Sequence, residues 1–281
     1  MRSSEAHPRG SVEGPVVVEL SLVLPAYDSA ALVGSSISEA LEFFDRYGIR
    51  GEVILVDDGS TDGTGEAAPR DERVRVIQLP VNRGKGAALR AGMAAATGEI
   101  RAFTDADMPY GTEPLLLALH YIRERRFHAV IGDRTMPGAR YPSTGIVRTI
   151  LSGIASLTFR TMVTGGIYDT QCGFKVFRGD VAKEVFSLSR VDRFAVDVEL
   201  VYLLLKYRLD IKRVPVQLIR RSPSTVRVIV DSLRAVRDIA SIRLNWGLGR
   251  YRSAVLAAIV PTEFEADRNE TVPPTGTSFR T

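Results

Sequence analysis

The sequence predicts an α/β protein: a mostly parallel central sheet with helices on both faces, followed by amphipathic helices towards the C-terminus. Two observations carry that expectation. Apolar runs of strand length alternate with segments whose apolar residues recur at helical spacing. Polar clusters then follow the first, second and fourth of these runs, where the carboxyl ends of parallel strands collect ligands.

Residues 16–24 form a largely apolar run closed by Pro25, as expected of a central strand covered on both faces. Val33, Ile37, Leu41 and Phe44 recur at helical spacing. Residues 52–56 are the next strand, stopping at Asp57-Asp58-Gly59-Ser60. Residues 73–79 are a third, and Asn82-Arg83-Gly84-Lys85-Gly86 leads into a helix of Ala, Leu and Met. Residues 100–104 are a fourth, ending at Asp105-Ala106-Asp107, and residues 129–131 a fifth. The second half is less regular. It reads as a helix over 151–163, a short strand over 174–177, a helix over 198–205 and an extended stretch over 211–219. An amphipathic helix over 229–244 would place Leu233, Val236, Ala240 and Leu244 on one face. Arg227, Asp231, Arg234 and Asp238 would lie on the other.

The chain has 281 residues, 45% hydrophobic and 25% charged, which suits a globular core built without disulfides. Its one cysteine, Cys172, has no partner, so a reducing compartment is expected. No secretory leader is visible, and no window of about 18 residues lacks charge. Residues 146–163 come nearest, but Arg148 and Arg160 interrupt them, so they read as a buried or interfacial helix. These features imply a cytoplasmic protein, or one peripheral on the cytoplasmic face of a membrane. Residues 1–15 read as a disordered leader, 16–252 as the folded domain, and 253–281 as a tail disordered at least in part. The net charge of +4 hides an asymmetry, because residues 206–252 carry twelve Lys or Arg against three Asp. That stretch suggests an anionic partner, or merely solvated helix faces with ion pairs. No nucleic-acid partner is expected, and a homo-oligomer is left open.

Asp105 and Asp107 can jointly approach a hard divalent cation that bridges a diphosphate, magnesium preferring oxygen ligands at about 2.0–2.1 Å. The alternative is a solvent-facing acidic turn. Asp57 and Asp58 suit ribose or base recognition, or else a turn and cap cluster for the following helix, with Ser60 and Asp62 as capping candidates. Lys85, between Gly84 and Gly86 at a helix start, faces phosphate or is an exposed lysine after a glycine turn. His7, His120 and His128 have no ligand spacing.

The segments LVLPAYDSAALVGSSI, VILVDDGSTDGT, NRGKGAALRAGM and FTDADM, in this order, resemble glycosyltransferase family 2 with its GT-A (Rossmann-like) fold. The later runs DTQCGFKVFRGDVAKEVF and RFAVDVELVYLL are similar to dolichyl-phosphate (polyprenyl-phosphate) β-glucosyltransferases and dolichyl-phosphate mannosyltransferases. The resemblance spans about residues 16–251. It implies that Pro25, Ala26, Tyr27, Asp57 and Asp58 hold the nucleoside, with Lys85 among the nucleotide-sugar residues. Asp105 and Asp107 would bind Mg2+ or Mn2+, and the Ala106 backbone would meet the diphosphate. Arg134 would face the sugar or the acceptor phosphate; residues 171–175 would line the acceptor side, Gln171 at their start and Lys175 near phosphate. Three departures stand out. Asp28-Ser29 replaces Asn-Glu, Pro109 replaces a Gln of the mannosyl relatives, and Ser222-Pro223-Ser224-Thr225 replaces Gly-x-Ser-Lys. Arg220, Arg221 and Arg227 are the substitutes for the missing phosphate clamp.

The resemblance thus implies inverting, metal-dependent transfer of a hexose to a polyprenyl phosphate, from UDP-glucose in preference to GDP-mannose. Asp107, Arg134 and Asp197 are the candidate catalytic residues. A hydroxyl acceptor would need a carboxylate base. Asp197 and Glu199 are the candidates, helix capping being their other reading. A soluble acceptor and a degenerate, non-catalytic scaffold are the rival readings. A nucleotidyltransferase would open with a Gly-rich, Arg-bearing loop after the first strand, where Pro25-Ala26-Tyr27 stands.

Overall fold

A computed structural model describes residues 17–139, 169–220 and 228–259, the stretch 228–236 by its backbone only. The described strands are β1 (Leu20–Ala26), β2 (Gly51–Asp57), β3 (Val74–Gln78), β4 (Ile100–Phe103), β5 (Ala129–Asp133), β6 (Lys175–Arg178) and β7 (Ile211–Pro215). They form one sheet in the order β3-β2-β1-β4-β6-β5-β7. Every pairing is parallel except the two made by β6, which runs against β4 and β5. The helices are α1 (Ala30–Tyr47), α2 (Lys85–Ala95), α3 (Glu113–Arg123), α4 (Gly179–Leu188), α5 (Val196–Lys206), α6 (Val228–Gly247) and α7 (Ala254–Ala258).

The two-residue period of the strands divides the core in two. Leu20, Leu22, Leu24 and Ala26 of β1, with Val53 and Leu55 of β2, pack against Val33, Ile37 and Phe44 of α1 and Leu115 and Leu119 of α3. Val23 of β1, Ile54 and Val56 of β2 and Phe103 of β4 turn the other way, onto α2, α4, α5 and α6. Both sides of β1 and β2 are therefore apolar, which explains the unbroken character of those runs in the sequence.

The start of α1 is held from outside. Its preceding Ser29 makes no side-chain cap, and instead Asp62 accepts the Ala30 N–H at 2.9 Å while Thr64 accepts the Ser29 N–H at 2.8 Å. Ser60 accepts the Asp28 N–H at 2.9 Å, and Asp28 accepts the Thr61 N–H at 3.0 Å. Of Ser60 and Asp62, expected to cap the helix after them, Asp62 thus closes the helix before it and Ser60 holds the loop at Asp28, since turns and β3 follow instead. The loops after β1 and β2 are fastened side by side.

One expectation needs correction, and two features add to the reading. The buried face of α6 carries Ile239 and Ile242, whereas Ala240 is exposed and Leu244 is 62% exposed. The stripe was read one step out of phase: Ile239, Ile242 and half-buried Trp246 also satisfy helical spacing. The expected tail from 253 begins inside the packed structure, because Leu256 is fully buried and the Ser253 hydroxyl donates to Glu184 at 2.9 Å. Helices α3 and α4 went unread, although Leu115, Ala118, Leu119 and Ile122 have the required spacing. Arg148, Arg160, Arg221, Arg227 and the helix expected over 151–163 lie outside the described residues, as do 1–16 and 260–281.

Candidate active site

One edge of the sheet gathers almost every residue singled out from the sequence. β1 ends there at Ala26, β2 at Asp57, β4 just before Asp105 and β5 just before Arg134. The reversal of β6 brings its start, Cys172–Lys175, to the same edge.

Asp57 and Asp58 are buried at the end of β2. Asp57 accepts the Ser60 N–H at 2.9 Å. Asp58 takes the Arg83 N–H at 2.9 Å on one oxygen and the Gly84 N–H at 2.7 Å on the other. Asp58 therefore fastens the loop that carries Lys85, a task beyond the nucleoside role expected of it. Gly84 (φ 104°) is in a conformation side chains avoid, and a Cβ there would meet the Asp192 carbonyl. Pro25 and Ala26 end β1, and Tyr27 directly after them is 45% exposed.

Past β4 the chain turns tightly, with the Met108 N–H bonding the Asp105 carbonyl at 2.8 Å. Met108 has φ 43°, a strained setting for a bulky residue that costs on the order of 1–3 kcal/mol. Such outliers collect at functional sites. Asp105 and Asp107 are half-buried on this turn, with Ala106 buried between them. Gly173, at the approach to β6, lies flush against the Asp105 carboxylate and leaves no room for a Cβ.

Three charges of alternating sign lie behind Asp105. Lys85 Nζ lies 2.8 Å from Asp105 Oδ1 and 3.1 Å from Asp197 Oδ2. Lys175 Nζ pairs with the other Asp197 oxygen and donates to the Cys172 carbonyl at 2.9 Å. Both ammonium groups stand about the Phe103 ring, 5.5 and 5.4 Å from its centroid. Burial alone would raise the Asp197 pKa, but Lys175 and Lys85 outweigh it and hold the carboxyl below its usual range. Burial likewise opposes the charge on Lys85, and Asp105 followed by Asp197 raises its pKa regardless.

This arrangement revises two expectations. Asp197, offered as a general base or a helix cap, is buried with both oxygens engaged by lysines and caps nothing. Lys175, expected near acceptor phosphate, is 1% exposed and its ammonium points inward at Asp197. Glu199, the other base candidate, is fully buried and accepts from Ser189, Tyr251 and the backbone of Arg190 and Val191.

Across the edge, Arg134 forms a two-point pair with Asp169, Nε to Oδ2 at 2.8 Å and Nη2 to Oδ1 at 2.7 Å. Burial would weaken its charge, but the Asp169 bonds raise its pKa. Cys172 lies alongside, its thiol pushed up to about 11 by burial and then by Asp169. Gln171 is exposed next to it. Arg220 is held by Glu39, and its N–H and that of Ile219 reach the Pro109 carbonyl at 3.3 and 2.9 Å, so it borders the Asp105–Asp107 turn. Asp169 is not legible in the sequence, since it stands 35 positions from Arg134 and no local pattern marks it.

Asp105 and Asp107 offer hard oxygen donors on one turn. No group of three or more His, Cys, Asp or Glu is placed to hold an ion among the described residues. Two carboxylates with a diphosphate supplying the remaining oxygens is the usual manner of holding magnesium, so the residues present fit a divalent cation brought with its ligand.

The comparisons place the chain among known families and folds. The family model described as glycosyl transferase family 2 matches residues 21–186. A dolichyl-phosphate beta-glucosyltransferase of Drosophila melanogaster is 32% identical over 262 residues, covering 87% of this chain and 80% of that protein. The human dolichyl-phosphate beta-glucosyltransferase is 31% identical over 252 residues, covering 83% and 78%. Among solved structures, mannosyl-3-phosphoglycerate synthase from Rubrobacter xylanophilus superposes with a TM-score of 0.64 at 19% identity, covering 84% of this chain and 77% of that one. Glucosyl-3-phosphoglycerate synthase from Mycobacterium tuberculosis, solved with Mn2+, UDP-glucose and phosphoglyceric acid, gives 0.59 at 20% identity, covering 80% and 79%. At these identities the two structures speak to the fold, which is the expected GT-A architecture. The family match extends over more than half of the chain and takes in every strand from β1 to β6, together with the acidic turn after β4. The chain belongs to glycosyl transferase family 2.

Proposed function

We propose that this enzyme transfers glucose from UDP-glucose, with inversion, to the phosphate of a polyprenyl phosphate. The observation that carries the reading is the meeting, at one sheet edge, of the Asp105/Asp107 turn with Arg134 at the end of β5. The relatives' names supply the donor sugar and the lipid acceptor. A divalent cation held by Asp105 and Asp107 would neutralise the departing diphosphate. Tyr27, Asp57 and Asp58 would flank the nucleoside, and the Ala106 backbone the diphosphate. Arg134 and Arg220 would draw the acceptor phosphate to the anomeric carbon. Its oxygen forms the new bond as UDP leaves from the opposite face.

The fate of the two base candidates favours a phosphate acceptor over a hydroxyl. Asp197 and Glu199 are both fully engaged, whereas a phosphate oxygen is already anionic and needs alignment more than deprotonation. Access to a membrane-borne acceptor is supported by Leu244 and Leu248, 62% and 57% exposed in the basic C-terminal stretch. No helix among the described residues is long and apolar enough to cross a membrane.

The test is incubation with UDP-glucose, Mn2+ and a polyprenyl phosphate in detergent. Formation of lipid-linked glucose, abolished by chelator and much weaker with GDP-mannose, is expected. Transfer only to soluble hydroxyl compounds would overturn the acceptor assignment.

A further inference from the structure

We propose that Lys85 is the resident counter-cation of the Asp105 site: its ammonium competes with the divalent cation for the Asp105 carboxylate and yields only when the donor diphosphate arrives. This inference rests on the cation–donor reading above and adds an order of events to it.

The geometry that points here is the anchoring of Lys85 on its inner side. Asp197 binds it from behind at 3.1 Å, and Lys175 occupies the other Asp197 oxygen. Lys175 is fixed in turn by the Cys172 carbonyl at the approach to β6, so Asp197 cannot follow Lys85 outward. The Lys85 backbone is equally fixed. It opens α2 directly after Gly84, and the Gly86 N–H is bound to the Asp192 carbonyl at 2.7 Å. Of its two partners, Asp197 is buried and Asp105 is 42% exposed, so the contact that can be given up is the outer one, to Asp105. Asp197 is thus a positioning residue, keeping a positive charge beside a carboxylate that the cation also needs.

Two consequences follow from charge alone. A cation arriving without donor must displace Lys85 and then sit beside it, which weakens its binding. A cation arriving with a diphosphate brings anionic oxygens that give Lys85 a new partner. Cation and nucleotide diphosphate therefore tighten one another, and each does so by the same factor.

The test is a titration of Mn2+ followed by the magnetic-resonance signal of the free ion, with and without UDP. Wild type, Lys85→Met and Lys85→Arg are compared. Lys85→Met should bind Mn2+ alone on the order of tenfold more tightly than wild type, and UDP should tighten that binding less. Lys85→Arg keeps the charge and should stay near wild type, which a merely structural role for the side chain does not require. If the methionine variant does not fold, Lys85→Gln carries the same test. Unchanged or weaker Mn2+ binding by the uncharged variant, where wild type binds Mn2+ with UDP, overturns this inference alone. Absence of Mn2+ binding by wild type even with UDP brings down the cation–donor reading as well.

Discussion

The half of the site proposed for the donor and the half proposed for the acceptor are built differently. On the donor side the carboxylates after β2 are fixed by backbone N–H groups, Asp57 by that of Ser60 and Asp58 by those of Arg83 and Gly84. On the acceptor side the arginines are held by carboxylate side chains: Arg134 by Asp169 and Arg220 by Glu39. The first design depends on backbone geometry, which tolerates side-chain exchange. The second depends on charge pairs, of which the Arg134–Asp169 pair, with its buried carboxylate, is expensive to break one partner at a time.

The sharpest division between the halves is expected from Asp107→Asn. Transfer should fall about 10²–10³-fold or more, the scale of a lost electrostatic anchor at a leaving group. The melting temperature should hardly move, since a polar isostere on a half-buried turn disturbs little packing. Undiminished transfer would remove Asp107 from the cation site.

Gly173→Ala probes where the halves touch. Its Cβ would collide with the Asp105 carboxylate, so a change on the acceptor strand should damage the donor side. A displacement of this kind should cost on the order of 10²-fold in transfer and weaken Mn2+ binding in the presence of UDP. Unaltered Mn2+ binding would show that the halves are mechanically independent.

Arg134→Ala should cost about 3 kcal/mol of stability, because Asp169, with only 5% of its side chain exposed, loses its charged partner and keeps only the backbone N–H of residue 134. Adding Asp169→Asn should restore part of that loss while transfer to lipid phosphate stays low. Hydrolysis of UDP-glucose should survive in both variants; its parallel loss would move Arg134 to the donor side.

Cys172 gives the smallest effect and a pH dependence. Its thiol pKa rises from 9.0 to about 11 in the folded protein, so unfolding releases the proton more readily. Its contribution to stability is complete below pH 9 and is lost as pH rises through about 11. Alkylation at pH 8 should be slow in the native protein and fast in denaturant. Rapid native labelling would show that the acceptor side opens.

The same contrast decides what could be read from the sequence. The donor side was legible because its residues cluster at strand ends, where Asp57-Asp58, Lys85 and Asp105-Ala106-Asp107 each follow a recognisable apolar run or glycine turn. The acceptor side was legible only in its cations. That Lys175 points inward rests on Asp197, 22 positions on, and that Arg134 is rigid rests on Asp169. A charge has no local pattern that says which way it faces. In α6 the stripe slipped because Val236, Ile239, Ala240 and Ile242 allow more than one apolar face, and packing against Tyr202 and Tyr207 through Trp246 selects among them.

Because β5 and β6 are antiparallel neighbours, they are the two arms of a hairpin whose connection runs from Arg134 to Phe174. The Arg134–Asp169 pair is a clasp at the base of that connection. Closing a chain segment grows more costly only with the logarithm of its length, about 0.6 kcal/mol for each doubling. The clasp therefore fixes the two described ends of the connection to one another, and keeps the arginine in register with the sheet whatever the number of residues between them.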